Sequence, residues 1–284
     1  MNIGKQKYDS IPIPEALDEV IACSIRRAER SKRLHALKRS AACVAAVFCV
    51  LFASANIMPI YTYAARIPVL GSIVQVLQIG SGGEVTDGAH GDAESYGDSV
   101  QLSFGSEAGS LDYVPHYSVA HYSAPNRVVM TFRGVRGMDF DELRESLLAS
   151  EAVSDAYRMM ILDDSAFGIV IVLNDGWSCE VAEYSDPGAL MINFSEAESE
   201  DADDEVYYLR TEAMPYTDEL GLLCEEYHNE GATQLKTASG NYIVTVGQYE
   251  TESEALEALE ELNESHGDKG LFVASSAANE LPED

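Results

Sequence analysis

One long apolar run dominates the hydrophobic pattern of the chain. Residues 40–65 hold no charged side chain, and their central part, residues 41–60, is almost wholly apolar. At 1.5 Å per residue, about 20 helical residues cross the roughly 30 Å hydrocarbon core of a bilayer. About 40 residues precede the run, which is also longer than the hydrophobic part of a signal peptide. The pattern therefore predicts one transmembrane helix at 41–60 rather than a cleaved leader.

Charge differs sharply between the two sides of this run. Residues 1–40 carry nine Lys or Arg against five Asp or Glu, a net charge of +4, whereas residues 41–284 carry −34. Basic flanks stay on the cytoplasmic side of a membrane span. The sequence therefore predicts a protein of the cell membrane with a cytoplasmic amino-terminal arm and a large extracytoplasmic region. Direct binding of nucleic acid is not expected.

The cytoplasmic arm, residues 1–40, is predicted to contain an amphipathic helix that begins near Pro14. From Arg26 onward the arm is basic, so a lipid-facing role without any protein partner is one interpretation. Around the first two turns, however, the polar face is acidic and would be repelled by an anionic inner leaflet. The second interpretation is a helix that docks on a cytoplasmic protein, through Tyr8, Asp9, Ile11, Ile13, Pro14, Leu17, Val20, Ile21 and Ile25.

Composition divides the rest of the chain into six segments. They are an apolar juxtamembrane segment, a flexible linker rich in Gly, Ser and acidic residues, an α+β domain, an acidic linker, a second folded domain and a tail. Their predicted boundaries are 61–79, 80–112, 113–195, 196–204, 205–276 and 277–284.

The second folded domain, residues 205–276, shows the order βαββαβ in its pattern of apolar positions. That order predicts a ferredoxin-like, four-stranded antiparallel sheet with both helices on one face. Val244 and Val246 would face the helices, and Ile243, Thr245 and Tyr249 would face away from them. The predicted fold class of the whole protein is thus α+β: an amphipathic helix, one transmembrane helix and extracytoplasmic antiparallel sheets.

Candidate chemistry in the sequence is sparse. The six histidines are scattered, and no nucleophile, phosphate-binding or zinc motif is present. We therefore expect a protein that is not an enzyme and that uses no cofactor or metal ion. Of the five cysteines only Cys179 and Cys224 fall in the predicted extracytoplasmic region. A disulfide between these two is one alternative. Unpaired thiols are favoured, because Cys224 falls on the apolar face of a predicted helix.

The residues around the apolar run resemble those of a bacterial family of single-span membrane proteins. That family is known mainly as a domain of unknown function and is often grouped with membrane-anchored anti-sigma factors. The resemblance implies a regulator whose cytoplasmic helix holds a sigma factor. It is carried by Tyr8, Asp9, Ile11, Ile13, Pro14, Leu17 and Asp18 before the span and by Asn56, Pro59, Ala64, Ile67, Pro68, Val69, Leu70 and Gly71 after it.

Residues 205–276 resemble the SPOR domain, a module that binds septal peptidoglycan. The resemblance is carried by Tyr242, Val244, Val246, Gly247, Tyr249, Ala255, Leu259 and Leu262. It implies that glycan strands lie on the helix-free face of the sheet, against Ile243, Thr245 and Tyr249. Two functions therefore stay open. One is an anti-sigma regulator that senses or binds the cell envelope, and the other is a peptidoglycan-binding envelope protein without a sigma factor.

Overall fold

The computed structural model of the protein describes residues 72–197, 205–277 and 280–284. All of these residues belong to one compact unit, Pro68–Asp284. Of the described residues 50% are in strands and 18% in helices, so the unit is mostly β. Within these ranges no helix is long and apolar enough to cross a membrane.

The first sheet contains seven strands. They are β1 (Ser72–Leu77), β3 (Ala89–Ser95), β4 (Ser99–Ser106), β5 (Gly109–Ser110), β8 (Val135–Met138), β11 (Trp177–Ser185) and β12 (Ala189–Glu196). Across the sheet they follow the order β1-β11-β12-β4-β3-β8, and β5 pairs with β4. Only the pairing of β3 with β8 is parallel, so most of the sheet is built from antiparallel neighbours.

The second sheet contains five antiparallel strands. They are β2 (Gly80–Gly82), β6 (Tyr117–Ser123), β7 (Asn126–Arg133), β9 (Val153–Arg158) and β10 (Ala166–Leu173), in the order β2-β6-β7-β10-β9. Helix α1 (Phe140–Leu148) connects β8 to β9. It begins after Asp139, whose carboxylate accepts hydrogen bonds from the backbone nitrogens of Asp141 and Glu142 and so caps the helix.

A single hydrophobic core lies between the first two sheets. Alternate positions of the strands face it, as expected for a sheet covered on one side, and Leu143 and Leu147 of α1 also contribute. Its members include Val100, Leu102 and Phe104 on β4, Val128, Met130 and Phe132 on β7, Ile169 and Ile171 on β10, and Leu190 and Ile192 on β12.

The third sheet and two helices follow in the order βαββαβ. The elements are β13 (Val206–Arg210), α2 (Asp218–Glu226), β14 (Thr233–Lys236), β15 (Tyr242–Tyr249), α3 (Glu252–His266) and β16 (Phe272–Ser276). The strands are antiparallel in the order β14-β15-β13-β16. Val244 and Val246 pack with Leu220, Ala255 and Leu262 of the two helices.

Strand β10 belongs to two cores at once. All eight of its residues are buried. Ile169 and Ile171 point into the core between the first two sheets, whereas Val170 and Val172 pack in the core that holds Leu220 of α2. The continuous apolar run of β10 is therefore explained, because the second sheet is covered on both faces.

The predicted fold class, an α+β protein organised around a transmembrane helix, is wrong for the described unit, which is mostly β. No transmembrane helix is found among the described elements, and the residues predicted to form it, 41–60, lie outside the described ranges. The predicted arm, residues 1–40, and residues 61–71 of the juxtamembrane segment lie outside them as well. The remainder of that juxtamembrane segment forms β1.

The segment 80–112, predicted to be a flexible linker, forms β2 to β5. Its composition misled the prediction because small residues occupy the buried positions of β3, where Ala89, Gly91 and Ala93 alternate with exposed side chains. At Gly91 a Cβ atom would overlap the side chain of Met138 on the neighbouring strand β8. Small side chains are thus required there by close packing, and they do not indicate flexibility.

Candidate functional site

A cleft of about 690 Å³ opens where the second sheet meets the third. One wall is formed by residues at the ends of β9 and β10, and the opposite wall by β14 and the turn after it. The polar groups that line it are Ser154, Asp155, Asn174 and Asp175 on the first wall, and Lys236, Thr237 and Ser239 on the second. The volume lies within the roughly 300–1,000 Å³ of ligand-binding clefts.

Three hydrogen bonds fix the junction that forms the cleft. The backbone nitrogen of Met160 donates to Oε1 of Gln234 at 2.7 Å, and Nε2 of Gln234 donates to the Met160 carbonyl at 2.7 Å. The backbone nitrogen of Lys236 donates to the hydroxyl of Tyr157 at 3.1 Å. Because β14 is an edge strand, no further strand pairs with its outer side, and these hydrogen bonds link that side to the second sheet instead.

Asp155 is the centre of an ion-pair network in the cleft wall. Its carboxylate accepts hydrogen bonds from Nζ of Lys236 at 2.8 Å and from Nη2 of Arg144 at 3.2 Å. Burial alone would raise the pKa of Asp155, but the hydrogen bonds from Lys236 and Arg144 outweigh it and hold this pKa below its usual range. The carboxylate is therefore ionised at neutral pH and held in one orientation.

Tyr157 forms the aromatic part of the cleft. It is buried, and its ring makes an edge contact with the ring of Tyr242 at a centroid distance of 5.8 Å. Nζ of Lys236 lies 5.9 Å from the centre of the Tyr157 ring. Burial raises the pKa of Tyr157, so the phenol stays protonated. The cleft thus combines an aromatic edge with a fixed carboxylate and an ammonium group.

Residues 280–284 run alongside the turn at 237–241 and complete the second wall of the cleft, to which Leu281 contributes. The backbone nitrogen of Ala238 donates to the Pro282 carbonyl at 2.9 Å. The Asp284 carboxylate accepts hydrogen bonds from three side chains, at distances of 2.7 to 3.0 Å, namely Thr237, Ser239 and Asn241. These bonds lower the pKa of Asp284.

The predicted glycan-binding residues do not come together on an open surface. Ile243 is fully buried and packs with Tyr208 and Leu235. Thr245 is 3% exposed, and its hydroxyl accepts a hydrogen bond from Nη2 of buried Arg127 at 3.4 Å. Tyr249 is half-buried and lies close above Gly247. Binding at these three residues stays a prediction, although two of the side chains are covered by the protein itself.

The predicted partner-binding residues of the arm, from Tyr8 to Ile25, lie outside the described residues. Their role stays a prediction. Two cysteines, by contrast, are described: Cys179 and Cys224 are both unpaired and buried, as favoured from the sequence. Burial raises the pKa of Cys179 to about 12 and that of Cys224 to about 11, so neither thiol is an activated nucleophile.

No group of three His, Cys, Asp or Glu side chains that could hold a metal ion is found in the described part of the chain.

A second groove of about 430 Å³ lies between the outer face of the second sheet and α2. Met159, Met160 and Ile161 on one side and small residues such as Gly221 on the other line it. Polar side chains line this groove as well, among them Arg133, Asp163, Glu225 and His228. We take the cleft at Asp155 as the candidate site because the ion pair of Asp155 with Lys236 fixes two charged groups in its wall.

No protein-family model matches the chain, and no curated protein matches it. The resemblances to anti-sigma factors and to the SPOR domain therefore stay predictions from the sequence. Sequence reasoning missed the cleft itself. The Asp175-Gly176 and Ser239-Gly240 turns were visible in the sequence. Only the folded chain brings them together, and the hydrogen bonds between Gln234 and Met160 at that junction leave no signal in the sequence.

Proposed function

We propose that the described unit is a non-catalytic module that binds a glycan of the cell envelope in the cleft at Asp155. The observation that carries this proposal is the composition of the cleft. Ser154, Asn174, Asp175 and Ser239, which carry hydroxyl, amide and carboxylate groups, line it together with the buried ring of Tyr157. The proposed ligand class, an envelope glycan, is the one that the sequence suggested, but the proposed binding residues are different.

A saccharide suits this lining for two reasons. Each sugar ring presents hydroxyl groups that both donate and accept hydrogen bonds, and amide and carboxylate side chains can bind two such groups at once. Each ring also has apolar C–H faces, which pack on aromatic and aliphatic side chains. In the cleft the polar groups lie at the rim, where Asp175 and Ser239 are exposed, while Tyr157 and Val172 form a buried apolar base.

Binding is favoured over cleavage by the state of the Asp155 carboxylate. A glycosidase needs one carboxylic acid with a raised pKa that can protonate the leaving group. The pKa of Asp155 is instead lowered by its hydrogen bonds to Lys236 and Arg144. An ionised carboxylate that accepts two hydrogen bonds is suited to bind a hydroxyl group of the ligand and unsuited to donate a proton.

Titration calorimetry with the full-length chain and a neutral oligosaccharide, a tetramer of N-acetylglucosamine, tests the proposal. Asp175→Ala removes an exposed carboxylate of the rim and should weaken binding about tenfold, as expected for a charge-assisted hydrogen bond. Asp92→Ala, which removes an exposed carboxylate of β3 in the first sheet, is the matched control and should bind as the parent does. Equal loss in both variants, or no binding by the parent, would reject the glycan site.

The sigma-factor partner predicted from the sequence concerns residues 8–25, which the structure does not describe. It is a second proposal about the same protein, and it is compatible with a glycan-binding module that acts as the sensory part of a regulator. Changing Leu17 and Ile21 to Asp should release that partner in a co-purification experiment with the full-length chain. Capture of no sigma factor by the unchanged protein would leave glycan binding alone.

A further inference from the structure

The side chain of Asp284 occupies a small receptor for carboxylate groups at the edge of the cleft. The hydroxyl of Ser239 lies 2.7 Å from one carboxylate oxygen and 2.8 Å from the other. The hydroxyl of Thr237 donates to the first oxygen at 2.7 Å, and Nδ2 of Asn241 donates to the second at 3.0 Å. Both oxygens are thus bound by donors from a single turn, residues 237–241.

A buried cation beside this receptor has no carboxylate partner among the described residues. Arg210 is 6% exposed, and its Nη1 donates to the carbonyl of Glu283 at 2.7 Å. Its Nη2 is buried without a hydrogen-bond partner, although buried guanidinium groups are normally paired. The charge of Arg210 helps to lower the pKa of Asp284, so its field reaches the receptor. A second, independent feature therefore favours an anion at this place.

The receptor and the cleft share residues. Thr237 and Ser239 line the cleft and also bind Asp284, and Leu281, three residues before Asp284, contributes to the cleft wall. A ligand lying in the cleft would therefore have the receptor within reach. The Asp284 carboxylate is exposed to solvent, so a carboxylate of the ligand could replace its three hydrogen bonds one for one at little cost.

We infer that the cleft takes a carboxylated saccharide, whose carboxylate binds Thr237, Ser239 and Asn241 in place of the Asp284 side chain. This inference rests on the proposed glycan function and specifies its ligand class. Asp284 then acts as an intramolecular competitor. Without it, the same three donors are open to an acidic sugar, whereas a neutral sugar of the same size gains nothing from them.

The test compares two probes on the full-length chain by titration calorimetry: an oligomer of galacturonic acid and its methyl ester, which has the same rings without the charge. We expect the acid to bind the parent more tightly than the ester. Asp284→Ala should strengthen binding of the acid about tenfold and leave the ester unchanged, because hydrogen bonds to a carboxylate are regained only by the acid. Glu280→Ala, an exposed acid nearby with no side-chain hydrogen bond, is the matched control.

One further variant separates the receptor from the rest of the cleft. Asn241→Ala removes a donor that binds Asp284 but does not line the cleft, so it should weaken the preference for the acid while ester binding persists. Equal affinity for acid and ester in every variant would overturn the inference and leave the glycan function intact. Failure of both galacturonic probes to bind any variant would also overturn the inference, and binding of the N-acetylglucosamine tetramer in the same assay then decides whether the glycan function stands. Thermal unfolding of each variant shows whether it is folded.

Discussion

The side-chain amide of Gln234 pairs with the backbone of Met160 as a neighbouring strand would. Its Oε1 accepts from the Met160 nitrogen and its Nε2 donates to the Met160 carbonyl, both at 2.7 Å. One side chain thus joins the edge of the third sheet to the chain that leaves β9. Gln234 is 1% exposed, so neither hydrogen bond has water as a ready substitute.

Replacing Gln234 by Met should therefore destabilise the protein. Met keeps the approximate volume of the side chain but leaves two backbone groups of Met160 unpaired, at a cost of about 2–4 kcal/mol in the free energy of unfolding. Urea unfolding would measure the loss. Gln248→Met is the control, because Oε1 of Gln248 accepts only a 3.4 Å hydrogen bond from the Ser123 nitrogen. Similar losses in the two variants would contradict the special role of Gln234.

Gly82 should not tolerate even a methyl group. A Cβ atom at this position would overlap Gln75 and Glu183. The Glu183 carboxylate is 6% exposed and accepts hydrogen bonds from Nε2 of Gln75 at 2.6 Å and from the hydroxyl of Tyr117 at 2.9 Å. We expect Gly82→Ala to displace this group and to cost about 1–3 kcal/mol of stability, measured by thermal unfolding.

The matched control for Gly82 is Gly137, which is exposed on β8. A Cβ atom there would approach only His90, at 3.1 Å, and a small adjustment relieves that contact. Gly137→Ala should therefore change the unfolding temperature much less than Gly82→Ala. A reversed order of the two variants would show that the hydrogen bonds to Glu183 do not depend on close packing by residue 82.

The network around Asp155 predicts a dependence of stability on pH. The pKa of Asp155 is lower in the folded protein than in the unfolded chain. Its contribution to stability is therefore complete above the unfolded pKa of about 3.9 and is lost as the pH falls through the lower, folded pKa. The difference in unfolding free energy between the parent and Asp155→Asn should be constant from pH 7 to about pH 5 and should shrink in more acidic solution.

Urea unfolding at a series of pH values measures that difference. Asp92→Asn supplies the comparison, since Asp92 is an exposed residue of β3 and contacts neither Lys236 nor Arg144. Removal of either cation should reduce the acid dependence, because each donates to the same carboxylate. A difference in unfolding free energy between the parent and Asp155→Asn that did not change with pH would contradict the lowered pKa of Asp155.

The thiols of Cys179 and Cys224 should resist alkylation in the folded protein. Burial raises their pKa values to about 12 and about 11, so almost no thiolate exists at pH 8. Iodoacetamide treatment at pH 8 followed by peptide mapping should leave both cysteine peptides unmodified, and the same treatment in urea should modify both. Rapid modification of Cys224 without urea would show that α2 opens readily.

Regular elements of the described unit could be predicted well where the apolar pattern was strong. The apolar run at 167–173 predicts a strand, and apolar residues at three- and four-residue spacing within 251–266 predict a helix. These correspond to β10 (Ala166–Leu173) and α3 (Glu252–His266), with boundaries that differ by one residue. In both, apolar side chains recur at the period of the element, and Thr251 caps α3 through a hydrogen bond from the Glu254 nitrogen.

Prediction failed where burial is achieved by small residues. In β3 the core positions are Ala89, Gly91 and Ala93, which carry almost no apolar signal in a sequence, so strands were mistaken for linker. The candidate site was missed for a different reason. Ser154, Asp175 and Ser239 come from separate parts of the chain, and only tertiary pairing at Gln234 and Met160 brings them to one cleft.

The two-sided burial of β10 couples the stability of two cores within the described unit. Ile169 and Val170 are neighbours along the backbone, yet each is fully buried in a different core. Melting of either core would leave one face of the same strand in water, so loosening in one core is transmitted to the other within a single residue. A ligand bound in the cleft, which Val172 lines, would therefore change the stability of both cores without any hinge motion.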